Sequence, residues 1–415
     1  MTTREVWLRF QLGVAVGVSL ILGSTPGSAQ TGGSDLALRG ATIYADAQSP
    51  PMLNGVVIIR NGRIAAIGAR SEVNIPAGMR VLDLNGKTLV PGFWNNHVHF
   101  TGRPFRGADT ADATRLTMAV REMLTGWGFT TVFETGGNLA NTTALRTRIN
   151  SGEVPGPKIF TTGPILFPRG ANGGTMEIAT KAEAISAVDN AINHHVDAIK
   201  VYAQAWWDLS LQLSPDVLAS VVAEAHRHGL QVFAHPSNAD GLHNAVNAGV
   251  DQLMHTTPQI GPWGAAMAGQ MKAANIALVP TLKLWQFELQ RDTTPLPDSI
   301  VNAFTQRGVS QLAEYFSAGG PILFGTDVGY MTDYSTLAEF ELMAEAGMGF
   351  RDILASLTTA PSARRGLSAS TGRIAVGFDA DLVVLRTDPA ADIGAYANVL
   401  YTIRAGRIIF GPGSL

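Results

Sequence analysis

Residues Lys87-Thr-Leu-Val-Pro-Gly-Phe-Trp-Asn-Asn-His-Val-His-Phe100 form an apolar run that closes on two histidines. Such a run reads as a buried β-strand, and its two-residue period aims His97 and His99 at one face. Two imidazoles on one rigid strand lower the ordering cost of a metal site, and imidazole suits zinc and its first-row neighbours. Taken alone, the pair reads equally well as a strand end that merely carries two histidines. The remaining chain decides between these readings.

From about Leu89 to Leu367, strand-like runs alternate with helix-like ones. Candidate strands end near His99, Glu134, Thr162, Tyr202, His235, His255, Thr281 and Asp327. Eight such units predict an α/β fold, a (β/α)8 TIM-type barrel over 89–367. The helices between them carry start and stop signals. Ser214, Pro215 and Asp216 open a segment with Val217, Val221 and Ala225 on one face and Gly229 past its end; Ser237 ahead of Leu242, Ala245 and Val246, then Gly249, repeats the pattern.

Residues 30–88 read as short strands separated by turns, with Asn61-Gly62 between two apolar runs as a hairpin signal. Residues 368–415 have the same character, with an echo in Ile403-Arg-Ala-Gly-Arg-Ile-Ile409. The two ends are expected to form one small β-sandwich-like domain. Residues 1–29 read differently: Arg4 and Arg9 precede an apolar run from Leu12 to Leu22, and Gly27-Ser-Ala29 follows. That is the pattern of a secretory signal peptide, so the expected product is exported, periplasmic or secreted, and begins near Gln30. An uncleaved anchor is the alternative.

Across 415 residues, apolar side chains make up 46% and charged ones 15%, a composition that fills a generous core. A formal charge of -3 gives no reason to expect nucleic acid, or a membrane beyond the leading segment, as a partner. With no cysteine, disulfides and thiolate metal sites are excluded. Any metal must be held by nitrogen and oxygen.

In a barrel of this kind, functional side chains sit at the C-terminal ends of the strands. His97, His99, Lys200, His235, His255 and Asp327 all fall there, or within the strand in the case of Lys200. Burying so many titratable groups together is costly unless something neutralises them, and two divalent cations would. Lys200, in Asp197-Ala-Ile-Lys-Val-Tyr202, would be repelled by the same cations, so its amine is expected to be neutral. A neutral amine can take up CO2 and present the two oxygens of a carbamate.

Here the chain resembles the amidohydrolase superfamily. The resemblance runs from Val90-Pro-Gly-Phe-Trp-Asn-Asn-His-Val-His99 through the lysine strand, Val232-Phe-Ala-His235, Leu253-Met-His255 and Gly325-Thr-Asp327 to Ala360-Pro-Ser-Ala363 and Gly377-Phe-Asp-Ala-Asp-Leu382. It is most similar to the binuclear prolidase-like and imidazolonepropionase-like group. The resemblance implies that His97, His99 and Asp327 hold one divalent ion, zinc by ligand type, and that His235 and His255 hold the other. It also implies an N6-carboxylysine at Lys200 bridging both. A metal-bridging hydroxide would attack a carbonyl, and Asp327 would carry the proton to the leaving group.

The expected activity is hydrolysis of an amide-type C–N bond in a small molecule, with peptides or N-acyl amino acids favoured. Hydrolysis of cyclic amides, lactones or phosphotriesters is the alternative, and a non-catalytic scaffold a further one. Some prolidase-like relatives place an aromatic hydroxyl soon after the fifth-strand histidine; this chain has His235-Pro-Ser-Asn238, which weakens a dipeptidase assignment. Barrels of this class often associate into homo-oligomers.

Substrate contacts are expected from Tyr202, on the face of Lys200, and from Arg169, which could receive a carboxylate. Trp206, Trp207 and Tyr330 are candidates for an apolar pocket, and Glu134 for either a metal contact or a structural bond. His194, His195, His226, His228 and His243 read as helix-end or solvated groups.

Overall fold

A computed structural model of the protein describes residues 35–171, 176–291 and 296–413; the predicted signal segment lies outside them. Five strands come first: β1 (Leu36–Ile43), β2 (Met52–Arg60), β3 (Arg63–Ala69), β4 (Arg80–Asp83) and β5 (Thr88–Pro91). An alternating run follows: β6 (Phe93–Val98), α1 (Ala113–Met123), β7 (Phe129–Glu134), α2 (Leu139–Asn150), β8 (Lys158–Thr161), β9 (Ile165–Pro168), β10 (Met176–Ile178) and α3 (Lys181–Asn193). It continues through β11 (Ala198–Tyr202), α4 (Pro215–Arg227), β12 (Gln231–His235), α5 (Ala239–Ala248), β13 (Gln252–Met254), α6 (Gly264–Ala273) and β14 (Ala277–Val279). Then come α7 (Lys283–Gln290), α8 (Asp298–Ser317), α9 (Leu337–Glu345), α10 (Phe350–Leu357) and α11 (Thr359–Arg364), before β15 (Leu382–Leu385), β16 (Val399–Arg404) and β17 (Arg407–Phe410).

Both chain ends enter one sheet, ordered β17-β16-β15-β5-β1-β2-β3, with β4 on β1 as well. The sheet forks at β1, whose first half pairs with β4 from Leu36 to Arg39 and whose last residues pair with β5. Gly40 marks the fork: its φ is +92°, and a Cβ there would meet Asn85 Oδ1 at 2.2 Å. Leu36, Leu38, Val57, Leu89, Leu382 and Ile403 pack into a core of this sheet's own.

The middle of the chain is parallel. One sheet runs β6-β7-β8 and another β10-β9-β11-β12-β13-β14. Hydrogen bonds join them on both sides: Asp197 N donates to Thr161 O, and residues 322–328 bond to β14 through Leu278 and to β6 through Asn96, His97 and His99. The segment ending at Asp327, expected as a regular strand, makes only isolated bridges at Ile322 and Val328. The left-handed backbone of Asp327, φ +62°, breaks its ladder. Phe133, Ala198, Phe233, Met254, Ala277, Val279 and Leu323 meet in one cluster, so successive strands turn one face toward a shared interior. Alternation then places Lys200 and His235 on that same face. The opposite face, with Val132, Ile199, Val201, Val232 and Leu278, packs against the helices.

The start of α4 follows its sequence signals, with Ser214 accepting from Val217 N and Pro215 in the first turn. At α5 the cap is Asn238 and not Ser237. Ser237 takes a φ of +61° and donates its hydroxyl to Gln204 O, which leaves the longer Asn238 side chain to reach the amides of Asp240 and Gly241. Among the described residues, no helix is long and apolar enough to cross a membrane.

Candidate active site

The six residues singled out at strand ends converge. His97, Lys200, His235, His255 and Asp327 are buried, and the side chain of His99 is nearly so. Asp327 Oδ1 lies 3.0 Å from His99 Nε2 and 3.4 Å from His97 Nε2, while its Oδ2 is 3.9 Å from His255 Nε2. The His255 ring centre is 4.7 Å from that of His97 and 4.6 Å from that of His235. One atom each from His97, His255 and Asp327 falls within 4.8 Å of the others, a spacing that one cation can span.

Burial, together with the Lys200 charge, holds His97 and His235 well below the ordinary histidine range; His255 is held there by burial, then by the His235 and Lys200 charges. They present lone pairs. Burial also brings Lys200 down to about 7, against a smaller opposing pull from Asp327. Its Nζ, His97 Nδ1 and His235 Nδ1 are buried without a hydrogen-bond partner. Buried nitrogens left in this state beside a carboxylate form a donor set that a divalent cation satisfies.

Neighbouring residues fix the rings. His99 Nδ1 is 2.7 Å from Gly136 O, which can only accept, so Nδ1 carries the proton and Nε2 faces Asp327. Burial lowers the His99 pKa, but the Asp327 and Glu134 carboxylates outweigh it and hold it above the ordinary value. Glu134 accepts from Gly136 N and from the Thr161 hydroxyl, building the turn on which His99 rests, and stays 3.9 Å from the ring itself. His255 Nδ1 bonds to Thr281 Oγ1 at 2.5 Å. His255, Thr281 and Asp327 all have positive φ, a costly backbone for non-glycine residues that concentrates at functional sites.

Gly329, with φ +97°, packs against this backbone; a Cβ would lie 1.8 Å from His99 O. Gly329→Ala is therefore expected to destabilise the fold by about 2 kcal/mol or more, read as a lowered urea midpoint.

The cluster forms the floor of a cavity of about 670 Å³. Tyr202 lines it as expected, stacked on His235 at 4.2 Å and on Phe167 at 4.5 Å, and Trp206, Trp207 and Tyr330 line it too. Arg169 does not. It sits between β9 and β10, two strands inside what the sequence suggested was a loop, and its exposed guanidinium pairs with Glu183 at the start of α3. Arg169→Ala should leave kcat/KM within about twofold of wild type, since it removes only a surface ion pair.

Sequence reasoning missed α7, which supplies Leu284, Trp285, Glu288 and Leu289 to the wall, followed by Arg291. Its position directly after the seventh strand and the spacing of Leu284, Trp285 and Glu288 on one helical face were the available signals. The other histidines stay outside: His226 pairs with Asp251, and His228 with Glu224, which also holds Arg227. His194, His195 and His243 are exposed.

Glu339, buried on α9, accepts from Leu282 N and Lys283 N at 2.9 and 2.8 Å, and so holds the start of α7. Burial pushes its carboxyl up to about 7, against the two amides and the Lys283 charge. The native state therefore binds this proton more tightly than the unfolded chain. Stability from this group is fully present below the unfolded value and is lost as pH rises to about 7. Comparing Glu339→Gln with wild type by urea denaturation should show that the variant lacks this decline between about pH 5 and pH 7.

The sequence matches the amidohydrolase family over residues 88–409. The ochratoxinase of Aspergillus niger is 24% identical over 428 residues, covering 89% of this chain and 87% of that protein. The enamidase of Eubacterium barkeri is 24% identical over 394 residues, covering 89% of this chain and 90% of the enzyme. The crystal structure of a prolidase complexed with N-methylphosphonate-L-proline superimposes with a TM-score of 0.75 at 26% identity, covering 90% of this chain and 99% of that one. With that match running from β5 into β17, this chain belongs to the amidohydrolase family.

Proposed function

We propose that the protein is an exported, metal-dependent hydrolase that cleaves an amide bond in peptides or N-acyl amino acids. The observation that carries this reading is the convergence of four histidines, a lysine and an aspartate on the floor of one apolar cavity. The parallel strands are read as a closed (β/α)8 barrel whose eighth strand is 322–328, attached to a small β domain contributed by 30–88 and 368–415. An enamidase and a prolidase among the relatives favour amide chemistry.

His97, His99 and Asp327 would hold one divalent ion, His235 and His255 a second, and carboxylated Lys200 would bridge them; zinc suits such nitrogen and oxygen donors. When bound, the ions would supply an activated water and polarise the substrate carbonyl. The chain does the rest. Asp327, between the His97, His99 and His255 rings, would accept the proton of the attacking water and return it to the leaving nitrogen. Trp285 and Phe167 exclude bulk water from the reacting carbonyl, and Gly136 and Thr281 hold the two ring orientations.

The test is a panel of N-acyl amino acids, dipeptides, cyclic amides, lactones and phosphotriesters offered to metal-loaded protein. Release of a free amine from the first two classes, abolished by a chelator and restored by metal, is the expected result. Turnover confined to the other classes would move the assignment to them, and no turnover with metal bound would leave a non-catalytic scaffold. For export, N-terminal sequencing of the periplasmic or secreted protein should begin near Gln30; a chain retained with Met1 in the membrane fraction would indicate an anchor.

A further inference from the structure

Among the described residues that line the cavity, Arg291 and Lys200 are the only lysine or arginine side chains. Lys200 is on the buried floor, whereas the Arg291 side chain is 40% exposed, at the opening. The guanidinium is fixed there from several sides. Its Nε is 3.1 Å from Glu288 Oε2, and Nη1 donates to the Tyr330 hydroxyl, which in turn donates to Glu288 Oε1. Its Cζ lies 5.6 Å from the Tyr330 ring centre and 5.9 Å from that of Trp206. Nη2 has no partner among the described residues. A planar fork held rigidly, with one edge unspent, is pre-organised for a planar anion, because little entropy remains to be lost on binding.

We infer that Arg291 is the carboxylate-binding residue of this cavity, and that the enzyme prefers amide substrates that carry a free carboxylate. The inference rests on the amide-hydrolase reading and narrows it. Glu288 cancels the net charge of Arg291, so selection comes from charge-assisted hydrogen bonds made at contact, and not from a long-range field. The apolar body of the substrate lies along Trp285 and Phe167, between the opening and the floor. Arg169, on the outer surface, has no part in this.

The test compares N-acyl-phenylalanine with its C-terminal primary amide on the metal-loaded enzyme. The pair has nearly the same shape and differs in the group offered to Arg291. Wild type should favour the acid in kcat/KM by about 10- to 100-fold, Arg291→Met should bring the acid-to-amide ratio close to one, and Arg291→Lys, which keeps the charge without the fork, should fall between. Unchanged metal content and melting temperature establish that both variants are folded. A wild-type ratio near one, or a preference that survives in Arg291→Met, would overturn the subsite and leave the amide-hydrolase reading standing. Cleavage of neither compound would overturn the subsite, and the panel above then decides the amide-hydrolase reading.

Discussion

Lys200→Ala is expected to reduce bound metal from about two ions per chain to one or none, and to lower turnover by about a thousandfold or more. The reason lies in the state of the amine. Lys200 is 1% exposed, its Nζ has no hydrogen-bond partner, and burial has brought it down to about 7. A bare amine in that position costs desolvation and returns nothing, and as a cation it would repel any metal beside it. As a carbamate it would supply two oxygens sharing one negative charge to a site whose other donors are four imidazoles and one carboxylate. Alanine removes both oxygens, and the remaining groups hold at most one divalent ion well. Inductively coupled plasma mass spectrometry on both proteins, with turnover on the same samples, reads the outcome. Two ions retained in Lys200→Ala would end the bridging role, and one ion in both proteins would mark a mononuclear enzyme and turn the search to cyclic substrates and deamination.

How far the sequence led depends on whether strand geometry or tertiary contact decides a residue's place. His97 and His99 were legible because a two-residue period on a buried strand leaves one arrangement, and His97 and His99 do reach the same carboxylate. Lys200 and His235 followed from the same rule, whereas His255, one residue past Met254 and β13, is turned into the site by its left-handed backbone, φ +76°. Loops follow no such rule. Arg169 looked like a loop residue near the site, yet β9 and β10 form there and turn it toward α3. The start of α7 depends on Glu339, more than fifty residues later, whose two bonds to Leu282 and Lys283 no local pattern announces.

That contact also joins two parts of the site. Thr281 orients the His255 ring, and the next residue begins the segment that Glu339 secures and that presents Trp285 to the substrate side. Trp285 bonds back to Thr256, immediately after His255. The orientation of a histidine on the floor and the shape of the wall are therefore set by one short stretch, 281–285. Substitutions in that wall are expected to disturb more than substrate fit, and metal content belongs in any assay of them.

Asp327→Asn should lower turnover by about 10²- to 10⁴-fold while the protein keeps at least one metal ion. Asparagine matches aspartate in shape, and four histidines with Lys200 remain, so the site is not emptied. What disappears is the carboxylate that lies 3.0 Å from His99 Nε2 and 3.4 Å from His97 Nε2 and is placed to accept and return a proton. Loss of metal and loss of proton transfer both lower the rate, and the leaving group separates them. An alkyl amine departs only after protonation, whereas a nitrophenol departs readily as its anion. With metal content matched, the variant should therefore lose far more activity on alkyl amides than on nitrophenyl esters of the same acyl group. An equal loss on both would assign Asp327 to metal binding alone, and wild-type rates on alkyl amides would remove it from the reaction.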